Sequence, residues 1–227
     1  MADEVVLVHG WGGSFATTWE ASGFSLLLEE AGKQVIGVDL LGHGSAPKPH
    51  DPAEYADLTT RIVEALPDHP VDAIGFSLGA ITLLALAVRE PHRFSRLVLA
   101  GIGRNVLGND PNRQRAIVDA LTAPDDEIAD LDTVGRLFRQ YADQPGNDRL
   151  ALTAAMQRGP SVPFTDEGFA KVTCPVLFVI GDNDFAGPAD DLAAKFPNAT
   201  VKELRNVDHF ATPEAFGFID AALDFVA

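Results

Sequence analysis

The chain has 227 residues, 46% of them hydrophobic, and a formal net charge of −16 from 17 Lys and Arg against 33 Asp and Glu. That length and apolar fraction support one domain with a sizeable core, and the acidic balance speaks against nucleic acid and anionic membranes as partners. A single cysteine, Cys174, excludes an internal disulfide and a cysteine-based metal cluster.

From the N-terminus, Met1-Ala2-Asp3-Glu4 runs straight into an apolar strand with no basic n-region and no signal-like apolar segment, so a cytoplasmic protein is expected. Strands are predicted at residues 5–8, 34–38, 72–75, 97–99, 176–180 and 200–204. Most are continuous apolar runs, as parallel strands buried on both faces require. The helical patterns between them cover residues 23–31, stopping at Gly32, and 55–66, stopping at Pro67. Residues 78–90 are apolar nearly all round, which predicts a buried helix too short to span a bilayer. Residues 213–226 place Phe216, Ile219, Ala222 and Leu223 on one face. This alternation predicts an α/β fold, a three-layer αβα sandwich on a six-stranded, mainly parallel sheet.

The rhythm breaks between Leu99 and Val176, where only helical patterns occur, at residues 113–121, 126–141 and 147–157. A helical insertion between two parallel strands belongs at their C-terminal edge, where such sheets bind ligands. The expected division is a core of residues 1–103 and 171–227 and a helical cap of residues 104–170.

Gly75-Phe76-Ser77-Leu78-Gly79-Ala80 joins a predicted strand to the buried helix. This is the context of a nucleophile elbow: a sharp turn exposes the serine hydroxyl, and small residues two positions away avoid collision. A serine needs a base, and a carboxylate to orient that base. Of six histidines, His50, His69 and His92 lie beside prolines or in polar turns and read as surface groups. His209 follows the last strand and precedes the last helix, again at the ligand edge. The acid is expected in Gly181-Asp182-Asn183-Asp184, the acidic loop after residues 176–180. The order is then Ser, Asp, His.

Together, "HGWGG", "DLLGHGSA", "GFSLGA", "CPVLFVIGDND" and "VDHF" resemble the α/β-hydrolase superfamily, in particular its small capped serine esterases, over the whole chain except the inserted helices. The resemblance implies a triad of Ser77, Asp184 and His209, with Asp182 the alternative acid and Asp208 an ordinary loop carboxylate. It also implies an oxyanion hole from the backbone N–H groups of Trp11 and Leu78. The expected reaction is cleavage of a carboxylic ester through an acyl-enzyme. A thioesterase, lactonase, amidase, carbon–carbon bond hydrolase or cofactor-free perhydrolase would use the same triad, and a ligand receptor of the same fold is the rival outside enzymes. The expected partner is a small-molecule acyl ester, with no nucleic acid and no membrane insertion, and the protein is a monomer or homo-oligomer.

Family members usually carry two further strands before the His-Gly loop, which here is reached at His9. A trimmed hydrolase, or an edge covered by another subunit, would account for this. His9 is expected to hold loop backbone, and Trp11 either walls an acyl pocket or anchors packing. Gly42-His43-Gly44-Ser45 lacks the third glycine and lysine of a phosphate loop and reads as structural. His43 and His50, in a polar loop, make too weak a pair for a metal, and neither metal nor cofactor is expected. Arg104, Arg113 and Arg115 either receive an anion on the substrate or form a solvated face, the reading preferred. Cys174 opens an apolar strand and reads as an inert core thiol.

Overall fold

The computed structural model describes residues 3–108, 111–130, 133–159 and 164–227. Six strands, β1 (Glu4–Val8), β2 (Gln34–Val38), β3 (Val71–Phe76), β4 (Phe94–Ala100), β5 (Val176–Gly181) and β6 (Ala199–Leu204), form one sheet in the order β2-β1-β3-β4-β5-β6. Every neighbouring pair is parallel. All six predicted strands are present, each at or slightly beyond its expected bounds.

Strand alternation builds the layers. Val5 and Leu7 of β1 point to one face, where they join Trp19, Phe24, Leu28 and Phe218. These residues belong to the first connection, to α1 (Phe24–Glu30) and to α10 (Phe216–Val226). Val6 and Val8 point to the other face and join Ile62 of α2 (Thr60–Ala65) and Leu83 and Leu84 of α3 (Leu78–Arg89). Burying both faces requires strands that are apolar throughout, and β3 and β5 are buried at every residue.

Three helix expectations need correction. The pattern at residues 55–66 divides into a 3₁₀ turn, Pro52–Tyr55, and the shorter α2, because Asp57 turns back to bond the Thr59 amide and hydroxyl between them. The last helix starts at Phe216 rather than Pro213, which lies in the turn Thr212–Glu214. Its core face is Phe218, Ala222 and Val226, and Phe216 is 84% exposed. The pattern at 126–141 contains a 3₁₀ segment, Asp125–Asp130, and a helix from Thr133; residues 131–132 lie outside the described residues.

Between β4 and β5 run α4 (Arg104–Leu107), α5 (Pro111–Thr122), α6 (Thr133–Ala142), α7 (Arg149–Gln157) and α8 (Asp166–Ala170), and α9 (Asp190–Ala193) follows β5. Ile117, Leu121, Phe138, Ala142 and Leu152 pack as a small core of α5, α6 and α7. Beside it the buried Arg139 donates to Asp143 (2.8 Å), Asp125 (2.5 Å) and the carbonyls of Ala120 and Ala123. A buried guanidinium is tolerated only with such partners.

The strand order reverses between β1 and β3, because the chain leaves β1 toward β2 on one side and enters β3 on the other. Loops after those two strands part there, leaving a crevice at the C-terminal edge. The opposite edge is closed by charge: Arg96 makes a two-pronged contact with buried Asp72 (3.0 and 2.9 Å) and also donates to the Phe225 and Val226 carbonyls at the end of α10.

Candidate active site

Three loops meet at that crevice, after β1, β3 and β6, with the loop after β5 beneath them. Ser77, between β3 and α3, has φ 50° and ψ −112°. Such backbone costs a non-glycine residue on the order of 1–3 kcal/mol and persists only when its surroundings enforce it. Here the Ser77 N–H donates to the Ala100 carbonyl (2.8 Å) and its own carbonyl accepts from Ile81 N–H (2.9 Å), pinning the corner to β4 and α3. A Cβ on Gly75 would come within 2.8 Å of the Ala80 amide nitrogen, and one on Gly79 would overlap the carbonyl oxygens of Val8 and His9. The glycines therefore let α3 start directly against β1 and β3.

Ser77 Oγ lies 2.9 Å from His209 Nε2. On the far side of the ring Nδ1 lies 2.9 Å from both carboxylate oxygens of Asp184. A carboxylate only accepts, so Nδ1 carries the proton and Nε2 accepts from the serine hydroxyl. Asp184 and His209 are buried, and Asp184 Oδ1 also accepts from Ala186 N–H (2.8 Å). Aromatic rings wall the imidazole: Phe185 at 4.3 Å, Phe76 at 5.0 Å and Phe210 edge-on at 5.5 Å between centroids. The other acidic residues point elsewhere. Asp182 accepts from Val207 N–H (3.3 Å) and Asp208 from Ala211 N–H (2.9 Å).

Trp11 and Leu78 lie on either side of Ser77, on the β1 loop and at the first position of α3. Among the described residues neither main-chain N–H has a hydrogen-bond partner. The start of α3 adds a positive helix end. Trp11 Nε1 donates to the Leu152 carbonyl of α7 (3.2 Å), and its ring meets Phe138 of α6 at 5.0 Å, so its side chain anchors the inserted helices. Asn147 adds a second tie, donating to the Gly12 carbonyl (2.8 Å).

His9 holds loop backbone as expected. Its Nε2 accepts from Leu40 N–H (3.1 Å), which leaves Nδ1–H to donate to the Gly10 carbonyl (2.7 Å). Burial lowers its pKa. The expectation of a polar setting for His43 is overturned: its ring is buried 5.1 Å from that of His9, and burial pushes its pKa down to about 3. His43 Nδ1–H donates to the Leu41 carbonyl (2.9 Å), and Nε2 is buried without a partner among the described residues. His50 is separate and exposed, bonded to Asp148 (2.9 Å). Gly44, at φ 49°, makes room for Asp39, which accepts from Ser45 and Phe15 N–H groups (2.7 Å each). This Asp39 nest has no signature in the sequence, since its partners lie on two different loops. Arg104 and Arg115 are exposed, and the Arg113 side chain lies outside the described residues. Cys174 is half-buried and burial raises its thiol pKa to about 11, which keeps it protonated and unreactive.

A cavity of about 180 Å³ adjoins the crevice, against Gly10, Trp11, Phe76 and Phe210. Another, of about 420 Å³, lies along α3 from Ile81 to Arg89, closed by residues 56–59 ahead of α2 and by Arg158 and Phe164. Among the described residues no helix is long and apolar enough to cross a membrane, and no three His, Cys, Asp or Glu side chains gather as a metal would need.

Residues 5–221 match a family model described as the alpha/beta hydrolase family. A pimeloyl-[acyl-carrier protein] methyl ester esterase of Neisseria meningitidis is 34% identical over 223 residues, covering 82% of this chain and 77% of the relative. A 2-hydroxymuconate semialdehyde hydrolase of a Pseudomonas species is 36% identical over 104 residues, 43% of this chain. That match spans only 35% of the relative's length, and two further curated relatives are matched over 36% of theirs. Among solved structures, an esterase of a marine microorganism has a TM-score of 0.72 at 19% identity, covering 99% of this chain and 95% of its own. The enol-lactonase of Burkholderia xenovorans has a TM-score of 0.68 at 20% identity, covering 99% of this chain and 91% of its own. At these identities the likeness is one of fold.

Proposed function

The chain belongs to the alpha/beta hydrolase family, and from that premise we propose that it is a serine hydrolase cleaving a carboxylic ester with Ser77, His209 and Asp184. The observation that carries this reading is the unbroken run of hydrogen bonds from Ser77 Oγ through the His209 ring to Asp184, each 2.9 Å, starting at a strained serine. The relative aligned over 82% of the chain and named as a methyl ester esterase favours an ester among the acyl substrates that this chemistry serves.

The steps follow from the geometry. Ser77 Oγ attacks the ester carbonyl as His209 Nε2 takes its proton. The carbonyl oxygen becomes an oxyanion and accepts hydrogen bonds from the Trp11 and Leu78 amides, a contribution of about 2.7–4 kcal/mol for each such donor. His209 then protonates the departing alcohol as the carbon–oxygen bond breaks, leaving acyl-Ser77. A water molecule, deprotonated by His209, attacks the acyl carbon, and the reverse proton transfer frees the carboxylic acid and Ser77. Asp184 keeps the imidazole in the tautomer that this cycle needs and stabilises the imidazolium. The inserted helices, residues 104–170, act as a cap over the core of residues 1–103 and 171–227, and Trp11 links the two.

The test is turnover of a p-nitrophenyl ester series from acetate to palmitate by the wild type and Ser77→Ala. Serine-dependent turnover supports the reading. A single burst of one product per protein would favour a ligand receptor, and turnover that survives Ser77→Ala overturns the assignment.

A further inference from the structure

The 180 Å³ cavity is walled on one side by the immediate neighbours of Ser77 and His209. Gly10 lies against the serine: a Cβ built on it would stand 3.4 Å from Ser77 Cβ. Phe76 precedes Ser77 and Phe210 follows His209, and their rings flank the imidazole at 5.0 and 5.5 Å. Trp11, whose amide is proposed to hold the oxyanion, completes this wall. The volume is below the roughly 300–1,000 Å³ of whole small-molecule sites, so it suits one end of a substrate.

The remaining walls are polar. Thr18 stands over Gly13, where an added Cβ would come within 2.7 Å of the threonine hydroxyl oxygen. Tyr141 stacks on Phe210 at 5.0 Å, and the exposed Gln144 and Glu214 form the outer wall. Among the described residues the Thr18 and Tyr141 hydroxyls, the Gln144 amide and the Glu214 carboxylate have no hydrogen-bond partner. Glu214 is the one charged side chain among the described residues that line the cavity. The phenol of Tyr141 registers its charge: burial raises the pKa, and Glu214 and Asp208 raise it further.

We infer that this cavity takes the alcohol part of the ester, that this alcohol carries a protonated amine, and that Glu214 determines specificity by binding the amine. The leaving oxygen must reach His209 Nε2 to be protonated, which puts the alcohol beside the rings that flank His209. The rings of Trp11, Phe76, Tyr141 and Phe210 together with one carboxylate are surroundings that favour an ammonium group. A carboxylate only accepts hydrogen bonds, so a cationic N–H suits Glu214 and an anionic group is repelled by it. The net charge of −16 adds a general attraction for cations. The inference rests on the ester-hydrolase reading and narrows its substrate class.

Three butanoate esters separate the possibilities: dimethylaminopropyl, protonated at neutral pH; isohexyl, its uncharged isostere; and dihydroxypropyl, neutral and rich in hydroxyls. For the wild type, kcat/KM should favour the amino ester over the isohexyl ester by about fivefold, the worth of a partly exposed ion pair with an aromatic wall. Glu214→Gln should bring that ratio close to one, with Glu214→Asp restoring part of it. A wild-type ratio at or below one overturns the proposal. A ratio unmoved by Glu214→Gln also overturns it, by assigning the preference to overall charge. Faster cleavage of the dihydroxypropyl ester overturns it in favour of neutral hydroxyl recognition. Isohexyl dimethylaminobutanoate moves the amine to the acyl side, and a Glu214-dependent gain there instead would overturn the alcohol assignment. Calorimetric titration of Ser77→Ala with the amino ester reads binding without turnover, and adding Glu214→Gln should weaken it about fivefold. Glu214-dependent binding without wild-type hydrolysis would overturn the ester-hydrolase reading and leave the amine site standing. Serine-dependent hydrolysis indifferent to Glu214 would do the reverse. Glu214 is exposed, so its substitution tests the charge rather than the fold. The wild-type ratio should also decline with added salt, and a salt-independent ratio would remove the ion pair.

Discussion

Asp182 lies two residues before Asp184 and Asp208 lies beside His209, yet of these three carboxylates only that of Asp184 faces the His209 ring. Replacing Asp184 with Asn should therefore lower kcat by about 10⁴-fold, because an amide can donate to Nδ1 and stabilise the wrong tautomer. Asp182→Asn should lower it by less than about tenfold, since Asp182 serves only the Val207 amide, an interaction worth about 1 kcal/mol. Steady-state rates on one chromogenic ester check both, and equal losses would remove Asp184 from its proposed role. At this scale the sequence is informative where a residue's partner is fixed by a neighbouring strand end, as for Ser77 and His209. It is silent where the partner arrives from a distant loop. His43 looks like a loop histidine and is a buried one, packed on the ring of His9 from the β1 loop.

At the scale of elements, α3 is placed by what is missing from it. Gly79 lies against the end of β1, where any side chain would overlap the Val8 and His9 carbonyls. Gly79→Ala should cost about 1–3 kcal/mol of stability, the usual penalty of overpacking, and should reduce activity by moving α3 and the Leu78 amide away from the β1 loop. Urea unfolding and kcat measured on the same preparation test this; full stability and full activity together would mean that the contact relaxes freely. The central strands were legible because a strand buried on both faces is apolar at nearly every position, a signal independent of its partners, whereas the edge strands β2 and β6 are partly exposed and carry it more weakly. Helix starts were less so. Asp57 and Pro213 create turns through local hydrogen bonding and a fixed φ, and these compete with helical periodicity without disturbing it.

The whole molecule buries two neutral histidines beside the site in a strongly acidic chain. His43 has a pKa of about 3 when folded, against an ordinary value of 6.5. Between those values the unfolded chain binds the extra proton and the folded one does not, so stability rises with pH there and falls as the solution is acidified. For His43 the slope approaches roughly 1.4 kcal/mol per pH unit, and His9, lowered in the same direction, adds to it. Urea midpoints at several pH values should show this slope in the wild type and a shallower one in His43→Phe. Parallel slopes would mean that His43 is protonated in the folded state.

The chain contains two tryptophans. Trp19 is sealed in the core between Phe24 and Phe218, whereas Trp11 bridges the β1 loop and the inserted helices through its indole N–H. Their fluorescence therefore divides by location. Trp19 supplies a constant blue-shifted background, and any separation of α7 from the Trp11 loop wets the other indole and moves the emission to the red. The residue whose amide is proposed to hold the oxyanion is thus also a native optical probe of the covering helices, with an internal standard already in place.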